Sequence, residues 1–163
     1  MNIIIKNRSL LYRGYKIKCS IGKKGIAYSK KEGDLCTPKG LFKLGPLYYR
    51  KDRIKLNKCK IKKKVIKKNM GWCDDIKSKK YNREIFFPFK YSAEKLHINK
   101  KIYDILINIK YNYSPALKGK GSAIFLHLTD QKYKPTKGCI AIHKKDFMKI
   151  LPLINANTKI LIK

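Results

Sequence analysis

The sequence predicts a mainly β protein, a single-domain β-sandwich or partly closed barrel of short mixed strands with one or two helices. Short apolar segments recur between turn residues, and most of them either alternate with polar residues or run without interruption, as strands do. One segment near the C-terminus has a helical period instead. The 163 residues match the size of one ordinary domain, so we expect one folded unit over residues 1–163.

Strands separated by turns are predicted for the first half of the chain. Residues 16–21 alternate between polar and apolar side chains, and the apolar ones would share one buried face. These residues are Ile17, Cys19 and Ile21. The segment Thr37–Gly40 has the composition of a turn and leads into a predicted strand over Leu41–Leu44.

The second half carries the most strongly patterned segments. Residues 102–111 alternate, which predicts a strand with one apolar face. That face consists of Ile105, Ile107, Ile109 and Tyr111. The segment Ala123–Leu126 is wholly apolar, which predicts a strand that is buried on both faces and ends at His127. Gly138–Ile142 begins a second apolar stretch, and Lys159–Ile162 is a final predicted strand.

One helix is predicted over Lys144–Ile154. Its apolar residues recur at i, i+3, i+4 and i+7, which places them on one helical face. They are Phe147, Ile150, Leu151 and Ile154. Pro152 lies inside this segment and is expected to end or kink the helix, because proline lacks the backbone N–H that a helix interior needs.

The charge balance is extreme, with 41 lysines and arginines against 10 acidic residues and a net charge of +31. Residues 51–68 hold ten basic residues and one aspartate, which predicts a solvated edge or loop with scattered apolar anchors. Only five of the basic residues are arginines, which favours compositional drift toward lysine over a surface selected to bind nucleic acid. Whichever origin applies, a surface of this charge attracts polyanions without specificity. No segment is long and apolar enough to span a membrane, and no signal peptide is visible.

Five cysteines leave at least one thiol unpaired, and no Cys-x-x-Cys pair supports a zinc or thioredoxin-like site. Cys19 lies on a predicted buried face, and Cys73 precedes two aspartates whose charges disfavour a thiolate. Cys36 has no histidine near it in the sequence. The lysines around Cys59 favour its thiolate, but no base follows it in the sequence.

The most informative segment runs from His127 to Cys139. A buried strand delivers the histidine, and twelve residues later the cysteine follows Gly138. A loop of this length can bring the imidazole against the thiol, which is the arrangement of a Cys–His nucleophilic site. Gly138 allows a close approach of the backbone to a substrate, and the amide groups of Gly138 and Cys139 are candidates for holding an oxyanion. The spacing alone leaves a buried structural cysteine as the alternative.

The segment Thr136–Cys139, with His127 upstream, resembles the catalytic signature of the L,D-transpeptidases, the YkuD-type domain: a histidine, a loop, then Ser/Thr-His-Gly-Cys. Other segments resemble a compact branch of this family without a signal peptide. They are Glu32–Asp34 followed by Thr37–Phe42, Gly71–Asp75, Tyr81–Arg83 and Gly121–His127. The resemblance covers roughly residues 2–163. Two positions depart from the family pattern, since Lys137 replaces the usual histidine and Ala141 replaces the usual asparagine or arginine.

The resemblance implies a role for each site residue. Cys139 would be the nucleophile and His127 the general base and then acid, while a backbone carbonyl at or beside Leu128 would orient the imidazole. The oxyanion and substrate pocket would be lined by Gly138, Thr136 and Lys137. Lys137 would supply positive charge without the hydrogen-bond geometry of histidine. The family chemistry requires no metal and no organic cofactor.

The implied reaction is acyl transfer on peptidoglycan stem peptides, the expected partner. Cys139 would form a thioester with the third residue of a tetrapeptide stem and release D-alanine. A side-chain amine of a second stem would then give a 3→3 cross-link, or water would give an L,D-carboxypeptidase reaction. A monomer at the periplasm or cell wall is expected, although without a visible signal peptide a cytoplasmic location or unconventional export stays open. A polyanion- or nucleic-acid-binding protein without catalysis and an inactive wall-binding scaffold are the alternatives.

Overall fold

The computed structural model describes residues 1–56, 58–130 and 132–163, and it is mainly β, as the sequence predicts. The described residues form one α-helix, α1 (Lys144–Ile150), and two 3-10 turns at Lys101–Tyr103 and Leu151–Leu153. The strands, in chain order, are β1 (Ile3–Lys6), β2 (Ser9–Tyr12), β3 (Tyr15–Lys18), β4 (Ile26–Ala27), β5 (Thr37–Pro38), β6 (Gly40–Tyr49), β7 (Lys63–Val65), β8 (Met70–Cys73), β9 (Glu84–Phe86), β10 (Ala93–Lys95), β11 (Ile105–Ile109), β12 (Phe125–Leu128), β13 (Ile140–Ile142) and β14 (Lys159–Ile162).

Most of these strands belong to one large mixed sheet. Its strand order is β13, β12, β11, β6, β14, β1, β2 and β3, and β7 pairs with β6 in addition. Beyond the end of β3, Ser20 exchanges two backbone hydrogen bonds with Ala141 of β13, at 2.8 and 3.0 Å. Because this bridge joins the two ends of the strand order, the sheet is a nearly closed barrel. The prediction of a partly closed barrel of mixed strands is confirmed.

Two apolar clusters lie on opposite sides of the barrel wall. Alternation along β11 places Ile105, Ile107 and Ile109 in the inner cluster, together with the buried face of α1. Leu106 points the other way, into an outer cluster that also holds Trp72 of β8. The small antiparallel sheet of β10, β8 and β9 therefore packs against the outside of the wall.

The C-terminal helix is shorter than its apolar period predicts. α1 ends at Ile150, and residues 151–153 continue as a 3-10 turn. Pro152 is the physical reason, because its ring carries no N–H for an α-helical hydrogen bond. All four residues of the predicted apolar face are nevertheless buried in the inner cluster.

The strand that carries the candidate histidine begins two residues later than predicted. Ala123 has φ +51°, in the left-handed region, so the regular strand begins at Phe125 and runs to Leu128. His127 consequently lies inside β12 rather than at its end. The strand is buried on both faces as predicted, since Leu126 belongs to the inner cluster and Phe125 to the outer one.

The N-terminal predictions hold with small changes. β3 ends before the predicted segment 16–21 does, but the three apolar residues of that segment are buried on the inner side as expected. Thr37 and Pro38 form β5 against β4 instead of a turn, and the predicted strand at Leu41–Leu44 is part of the longer β6. Proline fits in β5 because this two-residue strand pairs on one side.

The basic run at residues 51–68 is an edge segment, as predicted, but it also contains a strand. β7 pairs with β6, and two of its three residues are exposed. The buried apolar anchors of the run are Ile54, Ile61 and Ile66. Asn57 lies outside the described residues. Within the described part of the chain, no helix has the length and apolar character that crossing a membrane requires.

Candidate active site

Two adjacent parallel strands position His127 and Cys139. The register places His127 of β12 opposite Ala141 of β13, and Cys139 directly precedes β13. The backbone N–H of Phe125 donates to the Cys139 sulfur at 3.4 Å, which places Cys139 beside Phe125. Because side chains alternate along a strand, Phe125, His127 and Cys139 lie on the outer face of the barrel wall. The loop between them therefore leaves both residues on one face, and the contact of the imidazole with the thiol stays a prediction.

The Cys139 thiol is held in a neutral, buried state. Its Sγ donates to the carbonyl of Ala123 at 3.1 Å, and the residue is 8% exposed. Burial raises the pKa of the thiol to about 12, and the negative charge of Glu94 acts in the same direction. The Phe125 amide and the Lys30 ammonium oppose this rise in pKa.

The His127 imidazole is oriented by the backbone. Its Nδ1 lies 2.8 Å from the carbonyl oxygen of Leu128, which can only accept, so Nδ1 carries the proton and Nε2 is left as an acceptor. This is the carbonyl contact that the family resemblance implies. Burial lowers the pKa of the ring to about 4, although the carbonyls of Leu128 and Ile102 favour its protonated form. The ring also packs edge-to-face against Tyr103, with 5.3 Å between ring centroids.

No hydrogen bond joins the His127 ring to the Cys139 sulfur among the described contacts, because the thiol is turned toward Ala123. With the thiol pKa near 12 and the imidazole pKa near 4, both groups are neutral at pH 7. The two side chains share the outer face of the barrel wall.

The loop before the cysteine is held by Thr136. Its hydroxyl donates to the carbonyl of Cys139 at 2.6 Å and accepts the Gly138 N–H at 3.1 Å. Gly138 has φ +142°, and a Cβ at this position would lie 2.8 Å from the carbonyl oxygen of Cys36. Only glycine fits there. Lys137, in contrast, is exposed.

These contacts bear on the predicted oxyanion site. The Gly138 amide is already engaged by Thr136. Within the described part of the chain, the Cys139 N–H has no hydrogen-bond acceptor. The Cys139 amide is therefore the one of the two that is available to an oxyanion. The roles in substrate binding for Thr136, Lys137 and Gly138 stay predictions.

Two charged residues near the thiol were missed by the sequence analysis. Lys30 is buried behind the loop, with an ion pair of 2.5 Å to Asp34. Glu94 of β10 accepts a hydrogen bond from the Tyr103 hydroxyl at 2.7 Å. Burial raises the pKa of Glu94, and the exposed Lys137 opposes that rise. Both Lys30 and Glu94 lie far from Cys139 along the chain, and no local pattern distinguishes them from other charged residues.

Asn82 fixes the position of Ala123, the residue whose carbonyl accepts the thiol hydrogen. Its side-chain oxygen accepts from the Trp72 indole at 2.9 Å and from the Ala123 backbone N–H at 3.1 Å. Its amide nitrogen donates to the carbonyls of Tyr111 and Asn112. The segments Tyr81–Arg83 and Gly121–His127, which are far apart in the chain, therefore meet beside Cys139.

The other cysteines lie in different surroundings. Cys19 is buried in the inner cluster, as predicted, and Cys73 is buried in β8. Cys59, whose neighbouring lysines were expected to favour a thiolate, is half-buried. Its thiol donates to the Ile61 carbonyl at 3.4 Å. Among the described residues, no group of three or more His, Cys, Asp or Glu side chains is arranged to hold a metal ion.

Comparison with known proteins identifies the family of the chain. A family model described as YkuD, L,D-transpeptidase catalytic domain, matches residues 2–162, nearly the whole chain. Neither the curated proteins nor the solved structures that were compared include a match.

Proposed function

The chain belongs to the YkuD family of L,D-transpeptidase catalytic domains, and we propose that it forms 3→3 cross-links between peptidoglycan stem peptides through a thioester on Cys139. The family acts on these stem peptides, typically at the cell wall. His127 is the general base and then the general acid in this proposal. The chain's net charge of +31 adds a non-specific attraction to anionic polymers, of which the carboxylate-bearing wall is one.

The observation that carries the proposal is the shared outer face of His127 and Cys139 on adjacent parallel strands. The Leu128 carbonyl keeps the proton on Nδ1, so Nε2 is the basic nitrogen. In this proposal the thiol turns away from Ala123 and gives its proton to this nitrogen. A histidine whose pKa is lowered to about 4 is unprotonated at neutral pH, and the same shift makes it a weaker base than a free imidazole.

In the first step, Cys139 attacks the carbonyl of the amide that joins the third stem residue to the terminal D-alanine. The thiol proton moves to Nε2 of His127 as the S–C bond forms, because a free thiolate is unfavourable at this buried site. The Cys139 amide N–H stabilises the oxyanion of the tetrahedral intermediate. The C–N bond then breaks, the imidazolium gives its proton to the leaving amine, and D-alanine departs.

In the second step, the side-chain amine of another stem attacks the thioester carbonyl. His127 accepts a proton from the attacking amine and returns it to the sulfur as the C–S bond breaks, which regenerates the neutral pair. The product is a 3→3 cross-link. When water attacks instead, the same intermediate gives a tripeptide stem, which is the L,D-carboxypeptidase reaction. The relative access of amine and water to the thioester decides between the two products.

The test is turnover of disaccharide-tetrapeptide fragments, with D-alanine release and cross-linked dimers measured by mass spectrometry. Cys139→Ala is expected to lose at least about 10³-fold in D-alanine release, because the covalent route is gone. Cys59→Ser, which removes the rival thiol, is the matched control and should keep the wild-type rate. Equal D-alanine release by wild type and Cys139→Ala would show that Cys139 is not the nucleophile. Tripeptide without dimer would assign the carboxypeptidase reaction instead of cross-linking.

A further inference from the structure

Lys30 is the single lysine that is buried in the described part of this lysine-rich chain, with 3% of its surface exposed. Its ammonium pairs with Asp34 at 2.5 Å and lies 3.5 Å from the carbonyl of Lys31. An ammonium has three N–H donors, and the Asp34 contact uses one of them fully. Positive charge and donor capacity therefore remain on the side that faces the Cys139 loop.

Two glycines form the slot that this side chain occupies. A Cβ on Gly121 would lie 2.9 Å from Cε of Lys30, and a Cβ on Gly138 would lie 3.5 Å from its Nζ. Gly121 lies two residues before Ala123, whose carbonyl holds the thiol, and Gly138 directly precedes Cys139. The ammonium is thus inserted between the two backbone segments that define the position of the sulfur.

Burial of this ammonium needs an explanation. Taking an ion out of water costs several kcal/mol, and one carboxylate partner that is itself partly exposed offsets only part of this cost. An uncharged side chain of similar length would fill the slot without the desolvation cost. Burying the Lys30 ammonium therefore costs more free energy than burying an uncharged side chain, so packing alone does not explain the lysine.

We propose that Lys30 is a positioning residue for the nucleophile: its ammonium, fixed by Asp34 behind Gly138, provides the positive charge that favours the thiolate of Cys139. This inference rests on the proposed function, since it assigns Lys30 a part in activating that sulfur. Lys137 lies two residues before Cys139 in the sequence, but its side chain is exposed.

The charges around the sulfur act in opposite directions. The titratable and charged groups that surround the thiol are Glu94 on β10, Tyr103 in the 3-10 turn, His127 on β12 and Lys30, with Lys137 on its own loop. Glu94 disfavours the thiolate and Lys30 favours it, while Lys137 acts on Glu94. Neutralising Lys30 and neutralising Glu94 should therefore shift the reactivity of Cys139 in opposite directions.

The experiment measures the rate of Cys139 alkylation by iodoacetamide between pH 7 and 10, quantified on the peptide that contains Cys139. Lys30→Gln keeps a donor for Asp34 but removes the charge, and we expect alkylation at a given pH to fall about tenfold, because an opposite charge at this range shifts a pKa by about 1. Lys30→Arg, which keeps the positive charge, should retain most of the wild-type alkylation rate. Glu94→Gln should increase the rate. Lys31→Met, an exposed neighbour that changes the net charge equally, is the control and should leave the rate unchanged.

A merely structural Lys30 gives a different result. In that case Lys30→Gln lowers the melting temperature but keeps the wild-type pH profile of alkylation, and the inference is overturned. It is also overturned if Lys31→Met slows alkylation as much as Lys30→Gln does, since bulk charge is then the cause. Alkylation needs no substrate, so it tests Lys30 independently of turnover. If Cys139→Ala keeps its activity, the proposed function fails whatever the alkylation shows.

Discussion

At the scale of single residues, the site is built from short-range contacts around one sulfur. Cys139 donates to Ala123, accepts from the Phe125 amide and lies among opposing charges. Burial dominates these effects and keeps the thiol neutral. A neutral resting thiol resists oxidation and alkylation, because the thiolate is the reactive form. Burial therefore protects the Cys139 thiol from these reactions in the resting protein.

Gly138 is the residue at which a small change should have the largest local effect. Gly138→Ala places a Cβ 2.8 Å from the Cys36 carbonyl and keeps φ +142°, which L side chains rarely adopt. We expect a loss of about 1–3 kcal/mol in the free energy of unfolding and at least about tenfold lower turnover, because the loop that positions Cys139 must shift. Urea denaturation and D-alanine release measure the two effects.

The control for this substitution is Gly14→Ala. Gly14 also has a positive φ, +82°, but a Cβ there meets no atom within 4 Å. It should lose stability through backbone strain alone and keep full activity. If Gly138→Ala retains wild-type turnover, the close approach to Cys36 is not needed for catalysis.

At the scale of elements, the site depends on segments that carry no regular structure. The left-handed conformation of Ala123 ends the loop before β12 and aims its carbonyl at the thiol. Asn82 holds this turn from outside the barrel and also binds the Trp72 indole of the small sheet. The buried side-chain amide of Asn82 therefore connects the small outer sheet with the loop that leads into β12.

Asn82→Ala tests this connection. The substitution leaves the Trp72 indole, the Ala123 amide and two backbone carbonyls without their partner. Each buried polar group left unpaired costs about 1–3 kcal/mol, so we expect a loss of at least about 3 kcal/mol in the free energy of unfolding. Chemical denaturation followed by Trp72 fluorescence provides the measurement. Asn157→Ala, at an exposed position, is the control. A loss below about 1 kcal/mol would contradict the role of Asn82 as the central hydrogen-bonding residue.

At the scale of the whole molecule, the barrel encloses the inner apolar cluster and leaves the candidate site on its outer face, under the small sheet. The bridge between Ser20 and Ala141 closes the barrel immediately beside the site. Folding of the barrel and assembly of the site are consequently coupled. Groups whose ionisation is changed by burial at this site should therefore affect the global stability of the protein.

His127 is such a group, and it makes stability depend on pH in a defined direction. Its pKa is about 4 in the folded protein against 6.5 for a free imidazole, so the unfolded chain binds an extra proton between these values. Stability is therefore lost as the pH falls from about 6.5 to about 4, by about 3 kcal/mol in total. Urea denaturation at a series of pH values measures this loss.

His127→Gln removes this titration and should lose about 3 kcal/mol less than the wild type over the same pH range. The carboxylates that titrate in the same range are common to both proteins, so the difference between them isolates His127. Equal losses in the two proteins would mean that His127 is accessible to protons in the folded state and that its burial does not shift its pKa.

Sequence patterns predicted the strands and the helix face, because each depends on residues close in the chain. The same patterns missed Lys30 and Glu94, which reach the sulfur from distant segments. They also placed His127 at the end of a strand, since the left-handed φ of Ala123 leaves no mark in an apolar run. The preference of the thiol for the Ala123 carbonyl over the imidazole likewise follows from three-dimensional packing.

The sequence by itself determined the mainly β architecture and the family, and it supplied the proposal that His127 and Cys139 form a nucleophilic pair, because periodicity and short motifs are local properties. Tertiary structure alone decided the environment of that pair: which carbonyl holds the thiol, which charges face it, and how far burial shifts both pKa values. The physical reason is that desolvation and Coulomb interactions depend on distance in space, which the order of residues along the chain does not specify.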